Sequence, residues 1–252
     1  MPVLRTKTSR MWLPDALRGL ALLNMLAYHA MYDWVYVFGH ESSWYNIWAP
    51  GCHVWQQYIC WSFILLSGFS FPLAKRPAKN GLIVAGCAAV LTFVTAVFMP
   101  SEAIWFGVLH LNAAAVLLTC LVYPLLQRLP AGAGLAASAA LFALTNQLPE
   151  GYLGFENWRL CAVPAGLYKT NWFWLGLPEL TQFASADYFP ILPWVFLFWC
   201  GVFLARLWRP GRGEPPAALR PLCAIGRNTL LVYMLHQPVI YGALWVWHTV
   251  LG

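Results

Sequence analysis

An all-α membrane bundle of about seven transmembrane helices, with its N-terminus in the cytoplasm, is the fold the sequence predicts. Three observations predict it. Of 252 residues, 60% are hydrophobic and only 10% charged, with a mean hydropathy of +0.60, whereas a soluble domain carries about 25% charged residues. The apolar residues gather into runs suited to a bilayer core of about 30 Å, which a helix of about 20 residues crosses. The 15 Trp and 11 Tyr suit aromatic belts at the two interfaces. The whole chain, 1–252, reads as one integral-membrane domain.

The runs fall at about 14–37, 52–74, 81–99, 104–126, 131–148, 188–208 and 224–250. Arg5, Lys7 and Arg10 precede the first, and no small-residue cleavage site follows it, so it is read as a permanent span and not as a signal peptide. Lys75, Arg76, Pro77 and Lys79 close the second span, Pro100 the third, Arg128 and Pro130 the fourth, and Pro149 the fifth. The fifth, AGAGLAASAALFALTNQL, is rich in the small residues that close packing in lipid prefers. A cytoplasmic N-terminus puts all but two of the 15 Lys and Arg on that side, the exceptions being Arg159 and Lys169. That is the bias that orients membrane proteins.

The outer connection at about 149–187 is long, and rich in Trp, Tyr and Gly. Loops of that length serve as lids or binding surfaces, or lie along the headgroups. The basic residues are scattered through short loops with no aromatic-laced basic segment, so lipid explains the net charge of +6 and nucleic acid does not. The seven Cys show no C-x-x-C and no Cys/His ligand spacing, and no metal site is expected. Cys52 and Cys161 are the two cysteines able to meet in an oxidising outer compartment.

The first span, PDALRGLALLNMLAYHAMYDW, carries the chemistry. Ionisable groups at membrane depth cost a few kcal/mol each and face protected interiors. At about 100° per residue, Asp15, Arg18, His29, Asp33, Tyr36 and His40 fall within about 60° of one another, a polar stripe on a greasy helix. His29 and Asp33 stand one turn apart and can meet, as a general base and the carboxylate that orients it do, or as a polar pair joining helices. Arg18 lies about 16 Å below His29 along the helix. An elongated anionic ligand could put its phosphates at Arg18 and its reactive end at the imidazole; the plain alternative is a snorkelling interfacial Arg.

Arg227 opens the last span in a similar way. His236 and Gln237 follow beside Pro238, where they either satisfy backbone groups freed by the proline or line the cavity. These four residues, Arg18, Arg227, His236 and Gln237, form the expected binding set for such a ligand. Toward the other end of the bundle, His110 and Asn112 in WFGVLHLN and Asp187 in DYFPILPW are candidates for substrate binding. A hydrogen-bonded core histidine and a helix-capping aspartate are the alternative readings of His110 and Asp187.

Five segments together, PDALRGLALLNMLAYHAMYDW, FILLSGFSF, WFGVLHLN, DYFPILPWVFLFWCGVFLAR and IGRNTLLVYMLHQPVI, make the chain resemble the small bacterial members of the heparan-alpha-glucosaminide N-acetyltransferase-like family, within the wider transmembrane acyltransferases. In that wider group, an Arg at the inner end of the first catalytic span and a His eleven positions later correspond to Arg18 and His29. In the amino-sugar acetyltransferases the catalytic His lies a further eleven residues on, at His40. The chain departs from the larger members in its smaller number of spans, in lacking their lumenal N-terminal region and in having His110-Leu111 where they carry Gln-Arg.

The resemblance implies acyl transfer, of acetyl above all, from cytoplasmic acyl-CoA to a hydroxyl or amine of an extracytoplasmic sugar or glycan, in the inner (cytoplasmic) membrane. Acetyl-CoA is then the co-substrate, membrane lipid a partner, and a homodimer is allowed for. His29 with Asp33 is the expected catalytic pair and His40 the runner-up base. The rival readings are a carrier or flippase without covalent chemistry, and a structural or regulatory membrane subunit.

Overall fold

The computed structural model describes residues 11–179, 181–210 and 212–251, so Arg5, Lys7 and Arg10, on which the orientation partly rests, lie outside the described residues. Eight α-helices are present among the described residues: α1 (Trp12–Tyr32), α2 (Pro50–Ser70), α3 (Pro77–Phe98), α4 (Val108–Leu126), α5 (Ala131–Thr145), α6 (Ile191–Leu207), α7 (Arg220–Arg227) and α8 (Thr229–Leu251). The one sheet is an antiparallel hairpin of β1 (Tyr152–Phe155) and β2 (Trp158–Ala162).

The expectation of about seven membrane crossings is corrected. Only three described helices, Pro77–Phe98, Val108–Leu126 and Thr229–Val250, are both long and apolar enough to cross a membrane. The physical reasons differ between helices. α1 and α2 have the length, at 21 residues each, but α1 carries Asp15, Arg18, Asn24 and His29, and α2 carries His53, Gln56 and Gln57. α5 and α6 are apolar, yet at 15 and 17 residues they fall short of the roughly 20 a bilayer core requires. The assignment of loops to the two sides, which alternated over seven crossings, falls with that count.

Local chemistry sets the helix ends. α3 opens on Pro77, at a position where its missing N–H is no loss, and ends at Met99, non-helical ahead of Pro100. The α1 helix widens over Asp33–Val37 into a π-helical turn, in which the Phe38 N–H reaches the Asp33 carbonyl at 2.9 Å. The last apolar run is broken at Asn228 (φ −106°, ψ 28°) into the short α7 and the long α8.

The chain divides into two compact units, residues 1–63 with 209–252, and 64–208. The first unit packs α1 against α7 and α8. Its apolar centre is Leu22, Met25 and Ile59, covered by Trp55, Phe63 and Tyr233. The second unit packs α5 on α6 and α3 on α4, and continues into the hairpin. There Arg159 lies over the Tyr152 ring at 4.2 Å. Arg206 of α6 donates to the carbonyls of Leu126, Gln127 and Leu129 at 3.0, 3.3 and 2.9 Å, closing the C-terminal end of α4. All seven cysteines are free thiols, Cys52 buried and Cys161 exposed.

Candidate functional site

The first unit places two polar stripes face to face, one on α1 and the other on α7 and α8. At its lowest level the carboxylate of Asp15, 1% exposed, accepts from Arg18 Nη1 at 3.2 Å and from Arg227 Nε at 3.3 Å. One carboxylate is thus shared between two guanidinium groups. Arg227 is the accessible member, with 44% of its side chain exposed against 16% for Arg18. The glycines beside these arginines make the approach possible. A Cβ on Gly226 would overlap the Asp15 carbonyl, and one on Gly19 would overlap the Leu222 carbonyl, so α1 and α7 touch backbone to backbone.

Higher on α1, the ring of His29 meets the ring of His236 edge to face, with centroids 4.8 Å apart and planes at 61°. His236 is 9% exposed, and its Nδ1 is hydrogen-bonded to the carbonyl of Tyr233, one turn earlier in α8. A carbonyl only accepts, so Nδ1 carries the hydrogen and Nε2 keeps the lone pair. Two imidazolium charges at this separation would repel by about 3.5 kcal/mol at an effective dielectric near 20. Two charges on the pair are therefore strongly disfavoured.

One turn above His29, Asp33 is 0% exposed. Gln237 Nε2 donates to both its carboxylate oxygens, at 2.9 and 3.0 Å, while the amide oxygen of Gln237 is buried without a partner. Among the described residues no hydrogen bond joins Asp33 to His29. Gln237 occupies the place beside Asp33 that the i, i+4 spacing offered to the imidazole. The matched levels climb both helices in the same order, so α1 and α8 run parallel.

His40 follows the π-helical turn. Its ring stacks on Trp34 with centroids 3.8 Å apart and stands 5.7 Å from His248 at 73°. Its Nε2 is buried and has no hydrogen-bond partner.

The three remaining site residues belong to the second unit. His110 Nε2 meets the Thr92 hydroxyl at 3.1 Å, and Asn112 donates to the Val108 carbonyl at 3.0 Å. His110 Nδ1 and Asn112 Oδ1 are buried without partners. Asp187 accepts the Val108 N–H at 2.9 Å and so caps α4, not the helix that follows it in sequence. Gly107 admits the carboxylate, which a Cβ there would overlap. Burial pushes the Asp187 carboxyl up to about 6.

Sequence reasoning singled out both arginines and both α8 polar residues but missed Asp15 as the carboxylate that joins them. Its signal was present in the i, i+3 spacing to Arg18. The pairing of His29 with His236 had no local signal.

The first unit thus holds cations at one level of α1 and two imidazoles at another. The sequence model of the heparan-alpha-glucosaminide N-acetyltransferase catalytic domain matches residues 10–238, nearly the whole chain, and the chain belongs to that family. It is a membrane acyltransferase using an acetyl-CoA-like donor. No curated protein and no solved structure matches it.

Proposed function

We propose that the protein moves an acetyl group from acetyl-CoA, taken from the cytoplasm, to an amine or hydroxyl of an extracytoplasmic sugar or glycan, in the inner membrane. One observation carries this reading: the Asp15–Arg18–Arg227 cluster and the His29–His236 pair share one face of α1, separated by about 16 Å of helix. An elongated donor with a charged head and a reactive tail fits that spacing.

The thioester supplies an activated acetyl group when the donor is bound. Arg227, and behind it Arg18, receive the phosphates through charge-assisted hydrogen bonds. His29 takes the proton from the attacking amine or hydroxyl, as a general base, and returns it to the leaving thiolate. Gln237 holds Asp33 in place above it. The acceptor-binding role expected of His110 and Asn112 rests on their unpartnered buried atoms, whereas Asp187 is committed to its cap.

Purified protein in lipid vesicles, given acetyl-CoA and glucosamine, should yield N-acetylglucosamine and free thiol in equal amounts. Movement of the sugar across the vesicle without acetylation, in the absence of donor, would overturn the reading in favour of a carrier.

A further inference from the structure

Four features of the imidazole pair bear on how the proton is handled. The rings of His29 and His236 are in contact. His236 is buried, and Tyr233 fixes its tautomer through a backbone carbonyl, a group that cannot itself take or give a proton. Asp33, the carboxylate one turn from His29, is occupied by Gln237. Among the described residues no carboxylate is hydrogen-bonded to His29, and the ring it meets is a second imidazole. The other titratable rings against the pair are Tyr28, 6.2 Å from His29 on α1, and Tyr233, 5.3 Å from His236 on α8.

We propose that His29 and His236 work as one unit that holds a single proton, in which His236 is the positioning residue and not a contact for the donor. The proposal rests on the acetyl-transfer reading above. In the resting pair both rings are neutral, and the Tyr233 carbonyl fixes the tautomer of His236 through its Nδ1–H. The acceptor N–H or O–H attacks the thioester carbonyl carbon, the new C–N or C–O bond forms, and the C–S bond breaks. The proton passes to His29 and from there to the thiolate sulfur, so the pair ends as it began. Throughout, the His236 ring packed against it holds the plane of His29. The orienting function that a carboxylate serves in the familiar triads is here divided between a backbone carbonyl and a second ring.

The test is a double-mutant cycle on acetyl transfer to glucosamine, with His29→Gln, His236→Gln and the double variant in vesicles, each checked for monodispersity and acetyl-CoA binding. His29→Gln should lower kcat about 100-fold or more, the scale of a lost general base. His236→Gln should lower kcat at least tenfold with KM for acetyl-CoA unchanged, and should shift the ascending limb of the pH profile. The double variant should be no slower than His29→Gln alone. His236→Asn keeps a polar group nearer the backbone and serves as a second variant should His236→Gln not fold. Losses that multiply in the double variant, or a raised KM with normal kcat in His236→Gln, would overturn the proposal and leave acetyl transfer standing. Absence of transfer by the wild type would overturn both.

Discussion

Gln237 donates one amide nitrogen to both oxygens of Asp33, across 204 residues of chain, and this contact joins the fully buried carboxylate of α1 to α8. Leaving a buried acceptor without its donor costs about 1–3 kcal/mol, and more when it is charged. Gln237→Leu should therefore lower stability by at least that amount, read as a fall in the thermal unfolding midpoint in detergent. Asp33→Asn should cost less, since an amide can still accept one of the two bonds. A Gln237→Leu protein as stable as the wild type would show that the pair does not hold the helices together.

The contact between α1 and α7 depends on two hydrogens. Gly226→Ala places a methyl against the Asp15 carbonyl, and Gly19→Ala one against the Leu222 carbonyl. Backbone cannot rotate aside as a side chain can, so each variant should lose about 1–3 kcal/mol or more and weaken acetyl-CoA binding through displacement of the arginines. Gly132→Ala, where a Cβ meets nothing within contact distance, is the control. Size-exclusion profiles of the three proteins, followed by donor titration, would decide it.

Removal of either arginine should be felt by the donor and not by the acceptor. Arg227→Ala and Arg18→Ala should each weaken acetyl-CoA binding by about 1.5–3 kcal/mol, the range of a charge-assisted hydrogen bond. Arg18→Ala should also lower stability, because it takes a partner from the nearly inaccessible Asp15. Arg206→Ala should loosen the end of α4, whose carbonyls it serves, and leave donor affinity alone. Equal donor affinity in all three variants would remove the arginine cluster from the site.

Two histidines compete for the role of base, and turnover separates them. His29→Ala should lose about 100-fold or more in kcat while still binding acetyl-CoA. His40→Ala should lose less, since His40 is held by stacking on Trp34. Near-normal rates in His29→Ala together with abolished turnover in His40→Ala would transfer the role to His40.

Asp187 gives a pH signature in stability. Its carboxyl titrates at about 6 when folded against 3.8 ordinarily, so between those values the unfolded chain gives up a proton that the folded chain keeps. Stability therefore falls as pH rises from about 4 to about 6, and the contribution levels off above that. Asp187→Asn, which can still accept the Val108 N–H, should flatten this slope. Unfolding midpoints measured at half-unit steps in the two proteins would check it, and identical slopes would rule it out.

The helices were legible where composition alone decides them. The apolar runs bounded by Pro77 and Pro100, and by Pro130 and Pro149, place α3 and α5 within a few residues. The number of crossings was misread for two reasons: Gln56 and Gln57 in α2 and the charges of α1 sit in runs that look long enough, and α5 and α6 form helices of only 15 and 17 residues. The hairpin at 152–162 was hidden in an aromatic stretch with no alternating pattern. Within the site, Arg18, His29 and Asp33 were visible because helical spacing is local. The pairings were not, since Gln237 and His236, though named as candidates, arrive from the far end of the chain and Val108, the group Asp187 caps, is 79 residues away.

The site's two halves are also separated in time. At 5–20 residues per second, the 204 residues between Asp33 and Gln237 take about 10–40 s to synthesise, and for that interval Asp15 lacks Arg227 and Asp33 lacks Gln237. A ribosome that stalls before Arg227 leaves a first helix whose buried carboxylates lack the partners that α7 and α8 bring. The candidate site is thus assembled only when the last helix has been made.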